Sequence, residues 1–211
     1  MLVSTMSRPR STVLVPVVII LVGCLACRSR SNTSDHAAAP PTAIPAAVEP
    51  AAAAKEVHAI EFQVDVLPEE REDFPEGFSP SISLESPEQE LTRMRNRDQI
   101  VIANRNVVVV IDYPLDKPVE VPLVAPVNAG FSRTALVRGI SAAYHRIYDE
   151  EERTATEKTI PLDQRTGLIN RNKTNGVYGI CCHDLGDLVL HTIELSEKPD
   201  GTTYLVLGID S

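Results

Sequence analysis

Residues 131–152 read Phe-Ser-Arg-Thr-Ala-Leu-Val-Arg-Gly-Ile-Ser-Ala-Ala-Tyr-His-Arg-Ile-Tyr-Asp-Glu-Glu-Glu, and the spacing of their apolar members decides the fold. Leu136, Ile140, Ala143, Tyr144, Ile147 and Tyr148 recur at three and four residues, which gathers them into one stripe along a helix. Ser132 stands where an N-cap belongs. Phe131, just before it, can close on Leu136 at the fourth helical position as a hydrophobic staple. The helix should end near Glu152, and its last turn carries Asp149, Glu150, Glu151 and Glu152, charges that the helix dipole disfavours at that end. A solvated, fraying terminus is expected there in preference to a cation site.

The surface for that stripe to cover must come from strands. Val107 to Ile111 is apolar at every position, so it should lie centrally in a sheet with both faces covered. Gln99 to Ala103 and Val107 to Tyr113 flank Asn104-Arg105-Asn106 and read as a hairpin. Pro118, Pro122 and Pro126 confine a strand over Val119 to Val124 to an edge. Upstream, Ile60, Phe62, Val64 and Val66 alternate as a half-buried strand does, and Ser86-Pro87-Glu88-Gln89 opens a short helix running to about Asn96. Downstream, a polar loop from Arg153 to Gly176 leads into strand candidates Val177 to Cys182 and Leu188 to Leu195. Asp200-Gly201 then turns the chain into Thr203 to Ile209, so the last two runs form a hairpin. This order predicts an α+β domain: a mostly antiparallel sheet with one long amphipathic helix packed on a face.

At the other end of the chain, Arg8 and Arg10 precede an apolar run from Thr12 to Gly23 that closes on Leu21-Val22-Gly23-Cys24. That order resembles a bacterial lipoprotein precursor. The resemblance implies a signal peptide over 1–23 and lipidation of Cys24. A spanning anchor fits less well, because Thr12 to Cys27 is shorter than the roughly 20 apolar residues a bilayer needs, contains Pro16 and is followed by Arg28 and Arg30. Cys24 and Cys27 have C-x-x-C spacing, but no βαβ pattern surrounds them. Over 24–55 the Ala- and Pro-rich sequence, with Pro40-Pro41, Pro45 and Pro50, reads as a tether too poor in large apolar groups to fold. The domain then occupies 56–211. These features place the chain in the cell envelope, on the periplasmic face or at the outer membrane.

The 211 residues carry a formal net charge of −9, and loss of the two leader arginines makes the mature chain more acidic still. Nucleic acid is therefore excluded as a partner, since phosphate binding needs surplus Lys and Arg. Membrane attachment should rest on the lipid at Cys24 and not on a basic patch. Cys181 and Cys182 are neighbours, with Cα atoms about 3.8 Å apart, closer than the roughly 4.4 to 6.8 Å of ordinary disulfides. They are expected to be unbridged and mostly buried as small hydrophobes. No nucleophile elbow, phosphate-binding glycine loop, dinucleotide fingerprint or H-E-x-x-H motif occurs, and no cofactor is implied.

The densest polar cluster is Asn175-Gly176-Val177-Tyr178-Gly179-Ile180-Cys181-Cys182-His183-Asp184-Leu185-Gly186-Asp187. With the 131–152 helix it resembles an uncharacterised bacterial family carrying N-G-x-Y-G-I-x-x-H-D-x-x-D-L. Asn175, Gly176, Tyr178, Gly179, Ile180, His183, Asp184, Asp187 and Leu188 match. Cys181 and Cys182 stand where the pattern has an aromatic residue and a glycine. The resemblance implies a fold and a candidate surface (Asn175, Tyr178, His183, Asp184, Asp187), with no reaction attached. Chemically, His183, Asp184, Asp187 and His191 could hold a metal, and His183 with either aspartate could act as an acid/base pair. Neither a nucleophile nor an oxyanion donor accompanies them. The favoured reading makes Asp184, Gly186 and Asp187 a turn whose side chains bond backbone amides. The functional expectation is a lipid-anchored envelope module that binds a protein, peptide or glycan; the alternative is an envelope hydrolase, possibly metal-dependent, using His183 with Asp184 and Asp187.

Overall fold

The computed structural model describes residues 58–167 and 170–211; the lipobox and the tether lie outside the described residues. In chain order the elements are β1 (Ala59–Glu61), β2 (Val64–Asp65), β3 (Phe78–Ser79), β4 (Ile82–Ser83), α1 (Glu88–Arg93), β5 (Ile100–Ile102), β6 (Asn106–Ile111), β7 (Val119–Val124), β8 (Phe131–Ser132), α2 (Arg133–Thr154), β9 (Val189–Glu197) and β10 (Thr203–Asp210). The main sheet has the order β1-β9-β10-β6-β7, with β4 also paired to β9. Every pairing in it is antiparallel except β10 with β6. The class is α+β, as the sequence pattern requires.

Helix α2 runs for 22 residues and is capped by Ser132, whose hydroxyl accepts from the Ala135 amide at 3.2 Å. Its Leu136, Ile140, Ala143, Tyr144 and Ile147 are buried in one cluster with Val107, Val109 and Ile111 of β6 and Leu205 of β10. The cap satisfies one of the free amides of the first turn, so Ser132→Ala should lower stability by about 1 kcal/mol in chemical denaturation. A variant with wild-type stability would mean that the tertiary contacts of Phe131 hold this end without the hydroxyl.

Strand β6 is interior, between β10 and the edge strand β7, and not at the centre of the sheet, and only one of its faces is fully covered: Val107, Val109 and Ile111 are buried, whereas Val108 and Val110 are half-buried. The expected hairpin of 99–103 with 107–113 does not form. Both edges of β6 are taken by β10 and β7, so β5 pairs instead with β8, Ile102 opposite Phe131. The alternating run from Ile60 is divided between partners as well. β1 joins β9, β2 joins β3, and Ile60, Phe62 and Val64 still bury their side chains. The short helix begins one residue later than expected, with Pro87 at the cap position and no side-chain cap.

The β9–β10 hairpin and the edge position of β7 agree with the sequence reading. Val177 to Cys182 is not a strand; it makes only the isolated bridges Leu115–Ile180 and Arg171–Cys182. No helix among the described residues is long and apolar enough to cross a membrane.

Candidate functional site

The C-terminal turn of α2 organises the polar cluster. Glu151 is fully buried. Its Oε1 accepts from the Thr174 hydroxyl and the Gly176 amide, each at 2.7 Å, and its Oε2 from the amides of Tyr178 at 2.8 Å and Gly179 at 3.1 Å. A loop whose amides converge on one carboxylate cannot also pair them along a strand, which is why 177–182 departs from its β-rich composition. Burial pushes the Glu151 carboxyl up, but the Thr174 hydroxyl and the Tyr178, Gly176 and Gly179 amides outweigh it, and the net direction is down. Gly176 is required by close approach: a Cβ there would lie 2.5 Å from Glu151 Oε2. Gly179 has φ +70, a region that side chains disfavour, and its Cβ would meet Asp116 Oδ2 at 2.9 Å.

The neighbouring acids are engaged too. Glu150 accepts from the Tyr178 hydroxyl at 2.8 Å and pairs with Arg153 at 3.1 Å. The bond to Glu150 raises the Tyr178 hydroxyl above its ordinary pKa. Glu152 accepts from the Thr159 amide at 3.3 Å and faces Arg171 at 3.8 Å. The expected solvated, fraying helix end is thus corrected for Glu150, Glu151 and Glu152, whose carboxylates are acceptors for the 154–180 segment, while Asp149 is exposed as expected. Asn175 completes the tie, its Oδ1 accepting from the amides of Thr156 at 3.0 Å and Glu157 at 2.9 Å.

Asp184 sits in a second polar centre. Arg165 grips it with two guanidinium nitrogens, at 2.6 and 3.0 Å, and Arg171 approaches at 3.5 Å. Both arginine side chains are nearly buried, at 4% and 7% exposure. The Arg165 hydrogen bonds hold the Asp184 carboxyl below the usual carboxylate range, against the opposing effect of burial. Arg171 also lies over the Tyr148 ring at 5.2 Å, and its Nε is buried without a hydrogen-bond partner among the described residues. Asp187 accepts from the Asp184 amide at 2.8 Å and closes the single 3-10 turn at 185–187. The turn reading therefore fits Asp187, whereas Asp184 serves an ion-pair cluster.

His183 is half-buried, its ring 5.5 Å from the Tyr113 ring, and its carbonyl accepts from the Tyr148 hydroxyl at 3.0 Å. His191 lies on β9 near Asp210, at 3.8 Å. Among the described residues no group of three or more His, Cys, Asp or Glu is placed to hold a metal, so His183, Asp184, Asp187 and His191 do not converge as a metal set would.

Cys181 and Cys182 are joined in a disulfide across adjacent residues, with Cα atoms 3.7 Å apart. Cys181 is half-buried and Cys182 exposed, so the expectation of two buried free thiols is overturned on both counts. Cys182 has φ +77, a glycine-like conformation at the position where the resembled pattern has glycine. The residues that composition and motif did not reveal are Glu151, Arg165, Arg171 and Thr174. The signal available for Glu151 was a run of acids at the wrong end of a helix dipole in a chain that also carries a glycine-rich loop of free amides. Comparison with family models, curated proteins and solved structures yields no match for this chain.

Proposed function

We propose that the chain is a lipid-tethered module of the bacterial cell envelope, anchored through Cys24, that presents its α+β domain to an envelope protein, peptide or glycan. The observation that carries this reading is the commitment of the polar cluster to internal bonds. Asp184 is held by Arg165 and Arg171, Asp187 by the Asp184 amide, Asn175 by Thr156 and Glu157, and Tyr178 by Glu150. An acid/base pair would need a carboxylate free to orient His183, and both candidates bond elsewhere. Such engagement favours a scaffold that fixes a loop surface over a hydrolase.

The anchoring half of the proposal rests on Leu21-Val22-Gly23-Cys24. Cys24→Ala should abolish incorporation of a fatty-acid analogue in a bacterial host and leave the uncleaved precursor on a denaturing gel. Label retained in that variant would refute lipidation at Cys24 and point to Cys27 or to a different anchor.

A further inference from the structure

We propose that the Cys181–Cys182 disulfide is a thiol-exchange site: a dithiol reductant opens it in the folded protein, and opening loosens the segment that carries His183 and Asp184. The inference goes beyond the binding-module reading and needs neither the lipid anchor nor any particular ligand. In the chain-entropy account a disulfide stabilises a fold more the longer the loop it closes in the unfolded chain, with a logarithmic dependence. A bond between adjacent residues closes the smallest loop possible, so this one is a poor staple. It is also accessible, because Cys182 is exposed and only Cys181 is half-buried.

What the bond restrains is local backbone. Among the described residues only Asn96 and Cys182 combine a side chain with positive φ, and Cys182, at φ +77, is tied to Arg171 by an isolated bridge. On one side of it the Cys181 amide donates to the Pro114 carbonyl at 3.3 Å. On the other the His183 carbonyl accepts from Tyr148. Asp184 follows directly, with its two arginines. Cutting the S–S bond removes the covalent restraint on an unfavourable φ in the middle of these contacts.

The chemistry balances without a further reactant. A thiolate of the dithiol attacks the exposed Cys182 sulfur, the S–S bond breaks, and Cys181 leaves as a thiolate that takes up a proton. The second thiol of the reductant then attacks the mixed disulfide and releases Cys182 as a thiol. Two electrons and two protons pass to the protein, and the reductant ends as its own disulfide.

The test uses the full-length chain, purified without reductant, with dithiothreitol as the dithiol. Thiol alkylation is mapped by mass spectrometry and backbone hydrogen exchange is followed over residues 171–187. Expected results are alkylation of both Cys181 and Cys182 in the folded protein only after dithiothreitol, and a rise of about tenfold in exchange across that segment while the β9–β10 hairpin stays protected. Cys181→Ser with Cys182→Ser should exchange like the reduced protein and ignore dithiothreitol. Cys181→Ser with Cys182→Gly, which accepts positive φ without the bond, should exchange like the oxidised one. Three results would overturn the proposal: free Cys181 and Cys182 thiols in the untreated protein, reduction of that pair only in denaturant, or a double-serine variant as protected as the oxidised wild type. A glycine variant as loose as the serine one would refute the conformational coupling.

Discussion

Glu151→Ala is expected to destabilise the domain by about 4 kcal/mol, a large share of the roughly 5 to 15 kcal/mol available to a domain. The substitution leaves the amides of Gly176, Tyr178 and Gly179 and the Thr174 hydroxyl facing a cavity in place of a carboxylate. Glu151→Gln should cost less, about 2 kcal/mol, because its carbonyl can still serve Tyr178 and Gly179. Its amide group can donate to Thr174 Oγ1, which can turn its own proton to the Ile180 carbonyl at 3.2 Å. The Gly176 amide, and more distantly the Ile180 amide at 3.5 Å, then meet a donor. Urea denaturation of the two variants checks this order. Losses under about 1 kcal/mol in both would mean that water replaces the carboxylate and that the cradle does not hold the loop.

The same group sets a pH dependence. The Glu151 carboxyl titrates lower in the folded protein than in the unfolded chain, where it lies near about 4.3. A depressed acid contributes stability that is fully present above the unfolded value and is lost as pH falls through the folded one. Asp184 is depressed in the same sense, by its bonds to Arg165. Stability should therefore be flat above about pH 5 and fall below about pH 4, with a shallower fall in Glu151→Gln.

Local pattern reveals much of this fold because much of it is decided by local pattern. The α2 stripe, its Ser132 cap, the interior β6, the proline-marked edge β7 and the β9–β10 hairpin each follow from spacing within one segment. The failures share a cause: a partner distant in sequence takes up groups that local composition assigns elsewhere. β5 loses β6 because β10 has already claimed that edge in parallel. The 177–182 run loses its strand because Glu151 claims its amides. Asp187 is legible, since an Asx-type turn is built from neighbours. Arg165 and Arg171 are not, because a guanidinium in a polar loop has no periodicity to betray that it is buried.

Asp184→Ala should cost about 2 kcal/mol, a loss driven less by the missing carboxylate than by the cations it leaves behind. Of the two nearly buried side chains, Arg165 would keep its Nε bond to the Ile160 carbonyl at 2.8 Å and Arg171 would keep Glu152 at 3.8 Å, with an Nε that already lacks a partner among the described residues. The cost is set below that of a fully buried pair because a third of the Asp184 side chain reaches solvent, 33% by exposure. Asp187→Ala removes a single bond to the Asp184 amide and should cost about 1 kcal/mol, and His183→Ala, which loses mainly its contact with Tyr113, no more than that. The ranking opposes the one a catalytic or ligand site would give, since groups held for function at some expense to the fold leave stability level or improved when removed. Thermal melts of the three variants with and without Zn²⁺ or Ca²⁺ separate the cases. If Asp184→Ala melts at or above the wild type, or if metal raises the wild-type Tm and His183→Ala abolishes the rise, the ion-pair account of this centre fails and the hydrolase reading takes its place.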